Sequence, residues 1–326
     1  MAHLLVDRLR DLAAKYRRFT GYPRAYEKAL LQLRREHAND PGVVLLAESF
    51  YPPFHSYMEH HGPWLEHVVQ ERWLRGGYAE DPDKANNWTF VGVPWTDLRV
   101  HRGPNGTFAD LETELAKHLQ PGRRYFTVLN HFQGSPVPLP DHLQVFSGGG
   151  IGHIPVPLLK DQLPYYDGPR DILCSFMGRG LDEAQHGCDV RQRMYAALHN
   201  EQDIILDPSQ GVVAFHNQLN RSIFSLCPRG SGPTSYRLYE SLHVGSIPIY
   251  IWDQTLWLPY ADELDWSEIA IVMHIDEIDT LAATLRDIAA DPDRVARMRA
   301  RGQELVPHWF TMTAAADRII ERQTRH

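Results

Sequence analysis

The stretch from Ser222 to Asp253 constrains the fold more than any other part of the chain. A short apolar strand, Ser222 to Cys227, runs into a loop of Gly, Ser and Pro that carries Arg229. A helix opens near Ser235 and presents Arg237 and Glu240, and after Gly245 a second strand, Ile247 to Ile251, begins. Strand, small-residue loop and helix N-terminus together make an anion site, because unpaired backbone N–H groups and the helix dipole both favour a phosphate there. Two arginines can add bidentate, charge-assisted hydrogen bonds. Glu240 lies too far into the helix to serve a phosphate. A carboxylate beside a diphosphate site suits ribose hydroxyls instead. Together these groups suit a nucleoside diphosphate.

A chain of 326 residues is long for one core and allows two domains of about 150 residues each. The net charge of −8 argues against bulk nucleic-acid binding, which needs a basic face, but leaves room for a small anion held by local arginines. Cys174, Cys188 and Cys227 are odd in number and lack metal-ligand spacing, the pattern of a reducing compartment. The N-terminus reads as a charged amphipathic helix rather than a signal peptide, and no run of 18 apolar residues occurs. These features predict a soluble, cytoplasmic protein.

Along the chain, helical periodicity over residues 1–38 breaks at Gly21-Tyr-Pro23. Gly42 to Ala47 reads as a buried strand, Glu59 to Leu74 as a helix, Trp88 to Pro94 as a strand, Phe108 to Leu119 as a helix and Tyr125 to Leu129 as a strand. Val145 to Leu159 is extended, and Gln162 to Arg170 resembles a linker. A second series begins at Asp171, with a helix over Val190 to His199, a strand over Ile204 to Leu206, and helical segments over residues 277–304. Strands separated by helices predict parallel sheets. The fold class is therefore α/β: two Rossmann-like domains with mostly parallel sheets facing an inter-domain cleft. The boundary is expected near residue 165, giving domains 1–165 and 166–326, with the last helix, Met312 to Arg322, crossing back onto the first.

Ser225-Leu-Cys-Pro-Arg-Gly230, with Ser235-Tyr-Arg-Leu-Tyr-Glu-Ser-Leu-His-Val-Gly-Ser-Ile-Pro-Ile249, is similar to the C-terminal signature of exostosin-like glycosyltransferases. Leu258-Pro-Tyr260, Leu264-Asp-Trp266 and Val272 to Ile278 extend the match. Tyr51-Pro-Pro-Phe54, Asp81-Pro-Asp-Lys-Ala85, Phe90-Val-Gly-Val-Pro94, Ile154-Pro-Val-Pro157 and Ser175-Phe-Met-Gly178 follow the family order more loosely over residues 43 to 280. Tyr125 to Phe132 departs from the family's Gly-x-Asp-His-Phe segment. The resemblance implies a GT-B architecture and inverting transfer of a sugar from a nucleotide donor, usually a UDP-sugar. It also implies a C-terminal donor domain and an N-terminal acceptor domain.

On that reading Arg229, Gly230, Ser231, Ser235, Arg237 and Glu240 bind the donor. Arg229 and Arg237 would stabilise the departing diphosphate in place of a metal, so neither metal nor cofactor is expected. The plainer alternatives are a surface arginine beside a turn, an Arg237–Glu240 helix pair, and an N-cap role for Ser235. An inverting reaction needs a base for the acceptor hydroxyl. Glu48 and His55 after the first strand, Asp97 after Pro94, and His131 after the third strand are the candidates. Tyr51, Phe54, Trp64, Trp95 and Phe132 are candidates for sugar stacking. The partners expected are a nucleotide sugar and a glycan acceptor, with no nucleic acid. A non-catalytic nucleotide- or sugar-binding protein on the same fold is the alternative. A dinucleotide oxidoreductase is disfavoured, because Gly148-Gly-Gly-Ile-Gly152 precedes a Pro-rich strand rather than a helix.

Overall fold

A computed structural model describes residues 23–57, 59–181 and 188–325. The helix expected within residues 1–22 lies outside the described residues. Residues 23–36 form helix α1. The first sheet contains β1 (Val43–Val44), β2 (Trp88–Val91), β3 (Arg124–Leu129), β4 (Leu143–Ser147) and β5 (Ile154–Pro155), side by side in chain order. β1 pairs in parallel with β2, β2 with β3, and β4 with β5. Helices α2 (Leu65–Arg75), α3 (Trp95–Arg102) and α4 (Ala109–Ala116) connect the early strands.

The second sheet holds β6 (Ile172–Met177), β7 (Ile204–Asp207), β8 (Ser222–Pro228), β9 (Ile247–Trp252) and β10 (Ile271–His274). Its order is β10-β9-β8-β6-β7, and all four pairings are parallel. The chain adds β7 on one side of β6 and β8 on the other. This reversal makes a doubly wound sheet whose switch point lies between β6 and β8. In such sheets ligands collect at the carboxyl ends of the strands flanking the switch. Helices α5 (Val190–Leu198), α6 (Val212–Arg221), α7 (Tyr236–Val244), α8 (Leu281–Ala289) and α9 (Pro292–Trp309) follow the strands, and α10 (Met312–Thr324) ends the fold. Cys174, Phe176, Phe224, Leu226, Ile249 and Ile251 from the strands pack with Val190, Met194, Leu281 and Leu285 from α5 and α8 in one buried core. Burying each large aliphatic or aromatic side chain there contributes about 1.5–3 kcal/mol.

By contacts the chain divides into two compact units. The first comprises the described residues up to Val128, Pro136–Gln144, and the described residues from Ile319 onward; the second comprises Leu129–Ser135 and Val145–Arg318. Within the first, Gln323 Nε2 donates to Gln144 Oε1 at 2.5 Å. The Gly-rich segment after β4 belongs to the second unit. The expected helix from Glu59 starts at Leu65, and α3 and α6 had no counterpart in the sequence reading.

Candidate functional site

The carboxyl end of β8 continues into the loop Arg229–Ser235 and then α7. Ser235 occupies the helix N-cap in extended conformation, φ −147° and ψ 153°, and Gly245 ends the helix in the left-handed region at φ 80°. Leu238, Tyr239 and Leu242 bury one face of the helix. The N-cap role expected of Ser235 holds for its backbone alone. Its buried hydroxyl makes no hydrogen bond within the protein. Tyr250 anchors the loop: its hydroxyl donates to the Pro233 carbonyl at 2.7 Å and accepts from Trp257 N–H at 3.2 Å. Burial pushes the Tyr250 phenol up to about 12, so it remains a donor at neutral pH.

The loop also rests on its neighbours without intervening side chains. A Cβ at Gly232 would overlap the Gly149 carbonyl, and one at Gly150 (φ +101°) would overlap the Pro233 ring. Gly149 in turn lies against the carbonyls of Asn130 and His131. Gly148-Gly-Gly150 is thus a close-packing surface for the loop.

Three arginines gather here. Arg229 Nη1 donates to Asp253 Oδ1 at 2.7 Å, with both side chains largely buried. Burial opposes ionisation of Asp253, yet the Arg229 hydrogen bond and charge together with the backbone N–H groups of Gln254 and Asp253 outweigh it and hold the carboxyl below its ordinary range. Arg191, on α5, donates through Nε to the Arg229 carbonyl at 3.2 Å and through Nη1 to the Arg179 carbonyl at 2.8 Å. Arg237 donates to the carbonyls of Met177 and Leu226, at the ends of β6 and β8, and lies 4.2 Å over the Phe176 ring. Arg237 therefore ties together the two strands that flank the switch point, and the plainer alternative, an Arg237–Glu240 helix pair, is not what the structure shows. Glu240 Oε1 instead meets Lys160 Nζ at 2.6 Å, the Glu240 side chain being buried and that of Lys160 largely so.

The predicted donor residues Arg229, Gly230, Ser231, Ser235, Arg237 and Glu240 are thus on one strand–loop–helix unit of the second sheet. Sequence reasoning missed Arg191 and Lys160. Arg191 opens a helix with no local motif, and Lys160 stands in a Pro-rich extended segment, so neither carried a readable signal.

The predicted base candidates separate. Glu48 is exposed and paired with Arg35 at 2.6 Å and 3.0 Å. The Arg35 hydrogen bond holds its carboxyl low, which weakens it as a base. Asp97 is not on a loop but in the first turn of α3, wholly buried, so it cannot touch an acceptor. It contacts His55 and His67. His131 Nδ1 accepts from Gln133 N–H at 3.2 Å, and its ring stacks on Phe132. Among the expected stacking aromatics, Trp64 and Trp95 are core residues; Trp95 Nε1 donates to Thr127 Oγ1 at 2.8 Å. Among the described residues one group of metal-capable side chains comes together, His37, Asp40 and Glu80, in the first unit.

Fold and site define the second unit as a doubly wound α/β unit with a cationic loop at its switch point. Residues 132–288 match the Exostosin GT47 domain, so that segment is similar to the exostosin-like glycosyltransferases. A probable glucuronosyltransferase from Oryza sativa subsp. japonica is 31% identical over 147 residues, 43% of this chain and 34% of that protein. A probable beta-1,4-xylosyltransferase from Arabidopsis thaliana is 32% identical over 127 residues, 36% of this chain and 31% of that protein. The chain spans about a third of the length of these relatives. Among solved structures, TarM aligns at a TM-score of 0.40 and 6% identity over 80% of this chain and 58% of its own. Anabaena HepE in complex with UDP-glucose aligns at 0.32 and 12% identity over 66% and 51%.

Proposed function

We propose that this protein transfers a glycosyl group from a UDP-sugar to a glycan hydroxyl, with inversion at the anomeric carbon. The single observation that carries the reading is the loop Arg229–Ser235 at the β6/β8 switch point. It combines a helix N-terminus, an unengaged buried hydroxyl and the Arg229 side chain on one small-residue turn, with Arg191 bonded to the turn's backbone.

In this reading the diphosphate rests on the amide groups that open α7. Arg229, held in place by Asp253, faces the leaving phosphate. Ser231 and Ser235 add hydrogen bonds, Arg191 and Arg237 add positive field, and Glu240 receives ribose hydroxyls. Fixed cations aimed at the charge that develops as the sugar–phosphate bond breaks lower the barrier without a metal. The names of the relatives, glucuronosyl- and beta-1,4-xylosyltransferases, make UDP-glucuronate and UDP-xylose the donors to try. Among the described residues no helix is long and apolar enough to cross a membrane. The free thiols Cys174, Cys188 and Cys227 fit the expected reducing, cytoplasmic setting.

The test is calorimetry with UDP and NAD, followed by UDP release from UDP-xylose and UDP-glucuronate with xylo-oligosaccharides as acceptors. NMR of the product gives its anomeric configuration. Arg229→Ala should weaken UDP binding about 10- to 100-fold, the size of lost charged hydrogen bonds. Binding of NAD but not UDP would overturn the reading, and UDP binding without turnover would make the protein a binder rather than an enzyme.

A further inference from the structure

The stretch between β5 and β6 is fastened on both sides of Lys160. Before it, Val156 N–H donates to the Ser147 carbonyl at 3.0 Å. After it, Leu163 N–H donates to His243 Nδ1 at 3.3 Å and Tyr166 N–H to the Val244 carbonyl at 3.2 Å, both on α7. All of these residues belong to the second unit. Lys160 is thus carried by a tethered stretch rather than a free loop.

On α7, Tyr236, Glu240 and His243 fall at i, i+4 and i+7 and so share one face. The tethered stretch meets that face. Lys160 Nζ lies 2.6 Å from Glu240 Oε1 and 5.3 Å from the centroid of the Tyr236 ring. The Glu240 side chain is 7% exposed and that of Lys160 13%. The polar neighbours on the helix are directed elsewhere. His243 accepts from Leu163 N–H, and its Nε2 lies 2.8 Å from the Phe310 carbonyl. Arg237 donates to the carbonyls of Met177 and Leu226. Glu240 Oε2 has no hydrogen-bond partner among the described residues, and it is not one of the buried polar atoms cut off from water. An ion at this depth is tolerated only beside a counter-ion. Lys160 supplies one at Oε1 and leaves Oε2 open.

We propose that Lys160 is a positioning residue for the ribose of the donor. It holds the Glu240 carboxylate by one oxygen so that the other accepts from the ribose diol, and the site thereby selects nucleotides that carry both hydroxyls. The assignment rests on the UDP-sugar reading above and stays within the second unit. From Ser235 to Glu240 the helix rises about 7 Å, the scale that separates a nucleotide's diphosphate from the outer edge of its ribose. A carboxylate oxygen only accepts hydrogen bonds, so it rewards a hydroxyl and gains nothing from a methylene. A nucleotide without the diol leaves that oxygen unpaired where it has been drawn out of water, which is how a polar pocket rejects a deoxy analogue. Fixing the carboxylate before the ligand arrives removes its ordering cost from binding.

The test is calorimetry on the full chain with UDP and 2′,3′-dideoxy-UDP, and melting temperatures report that each variant is folded. The wild type should prefer UDP by about tenfold or more, the size of hydrogen bonds to a charged group. Glu240→Gln should bring the preference to within about twofold, its charged acceptor being gone. Lys160→Met should cut the preference by about three- to fivefold, with the change falling on UDP rather than on the dideoxy analogue, because the acceptor remains but is no longer held. Lys160→Arg should restore most of it. A Lys160→Met variant that keeps the wild-type preference, or that loses both nucleotides in equal measure, would overturn the assignment. So would a wild type that binds the two alike, and the diphosphate loop would stand. If the wild type binds neither nucleotide, the UDP-sugar reading itself falls and takes the assignment with it.

Discussion

The two sheets place polar chemistry by different means. The second sheet reverses strand order between β6 and β8, and the crevice this opens is served by one continuous piece of chain, β8, the Arg229–Ser235 loop and α7. The first sheet adds strands in chain order and has no reversal among its described strands. Its buried polar group is assembled from three separated elements around Asp97. The charges are opposite too: three arginines and one carboxylate at the loop, one carboxylate between two imidazoles in the first unit. A topological crevice can stay wet and cationic while it awaits an anion. A carboxylate sealed in a core must satisfy both oxygens from within.

The sharpest way to break this contrast is to remove the carboxylate from each. Asp97→Ala strips the buried His55 backbone N–H and ring nitrogen of their partner and removes the carboxylate beside His67 Nε2, and should cost roughly 3–5 kcal/mol in urea unfolding. Asp253→Ala leaves Arg229 at a site water can reach, and should cost only about 1 kcal/mol while weakening UDP binding. Equal costs would show that the two carboxylates do the same structural work.

A smaller effect is expected at Lys160–Glu240, the second unit's own buried pair. Either Glu240→Leu or Lys160→Met should destabilise by roughly 2–3 kcal/mol, less than the buried-pair maximum because the Lys160 stem reaches the surface. The double variant should recover much of that loss, since neither charge is then stranded. UDP affinity separates the roles: if Glu240 holds ribose, its variant weakens UDP at least tenfold and Lys160→Met does so less. Parallel losses would reduce the pair to a structural one.

The same contrast explains what could be read from the chain. The cradle was legible because its parts are local: an apolar strand, Gly and Pro in the loop, Ser235 ahead of the helix and Gly245 after it. The Asp97 group was not. Pro94-Trp-Thr-Asp97 reads as the end of a strand, and α3 has no side-chain cap of its own. What starts α3 is distant in sequence: buried Glu66 accepts from Thr96 N–H at 3.2 Å and from Thr96 Oγ1 at 2.5 Å. Asp97 was therefore marked as a candidate base, while its actual partners, His55 and His67, stayed invisible as a set. The Gly-rich segment after β4 looks like the approach to a linker, and its role appears only once its glycines meet the Pro233 loop.

Acid should act on both units in the same direction. His67 and His243 share one arrangement: Nδ1 accepts a backbone N–H, from Trp64 at 3.0 Å and from Leu163 at 3.3 Å. Nε2 faces an oxygen, Asp97 Oδ2 in one case and the Phe310 carbonyl in the other. Burial lowers both pKa values in the folded state. Below about pH 6.5 the unfolded chain then binds protons that the folded chain does not, so stability falls as the pH falls, by at most about 1.4 kcal/mol per pH unit for each group. His243 has Glu240 nearby and His67 has Asp97, His55 and Arg34. His243→Gln and His67→Gln should each remove part of the slope between pH 6.5 and 5. A slope that neither variant changes would place the acid sensitivity elsewhere.

The smallest effect is expected at Glu48, and it bears directly on which carboxylate of the first unit matters. Glu48 and Arg35 form an exposed pair with good geometry, 2.6 Å and 3.0 Å. Exposed pairs of this kind contribute little, because water screens the attraction and two long side chains lose freedom in making it. The Arg35 hydrogen bond holds the Glu48 carboxyl low, so at neutral pH it has little tendency to take a proton from a sugar hydroxyl. Glu48→Gln should leave the melting temperature unchanged and kcat within about twofold of wild type, as expected of an exposed, screened pair. Arg35→Ala should behave in the same way. A large loss of kcat at Glu48→Gln would show that this exposed carboxylate takes part in the reaction despite its ion pair with Arg35.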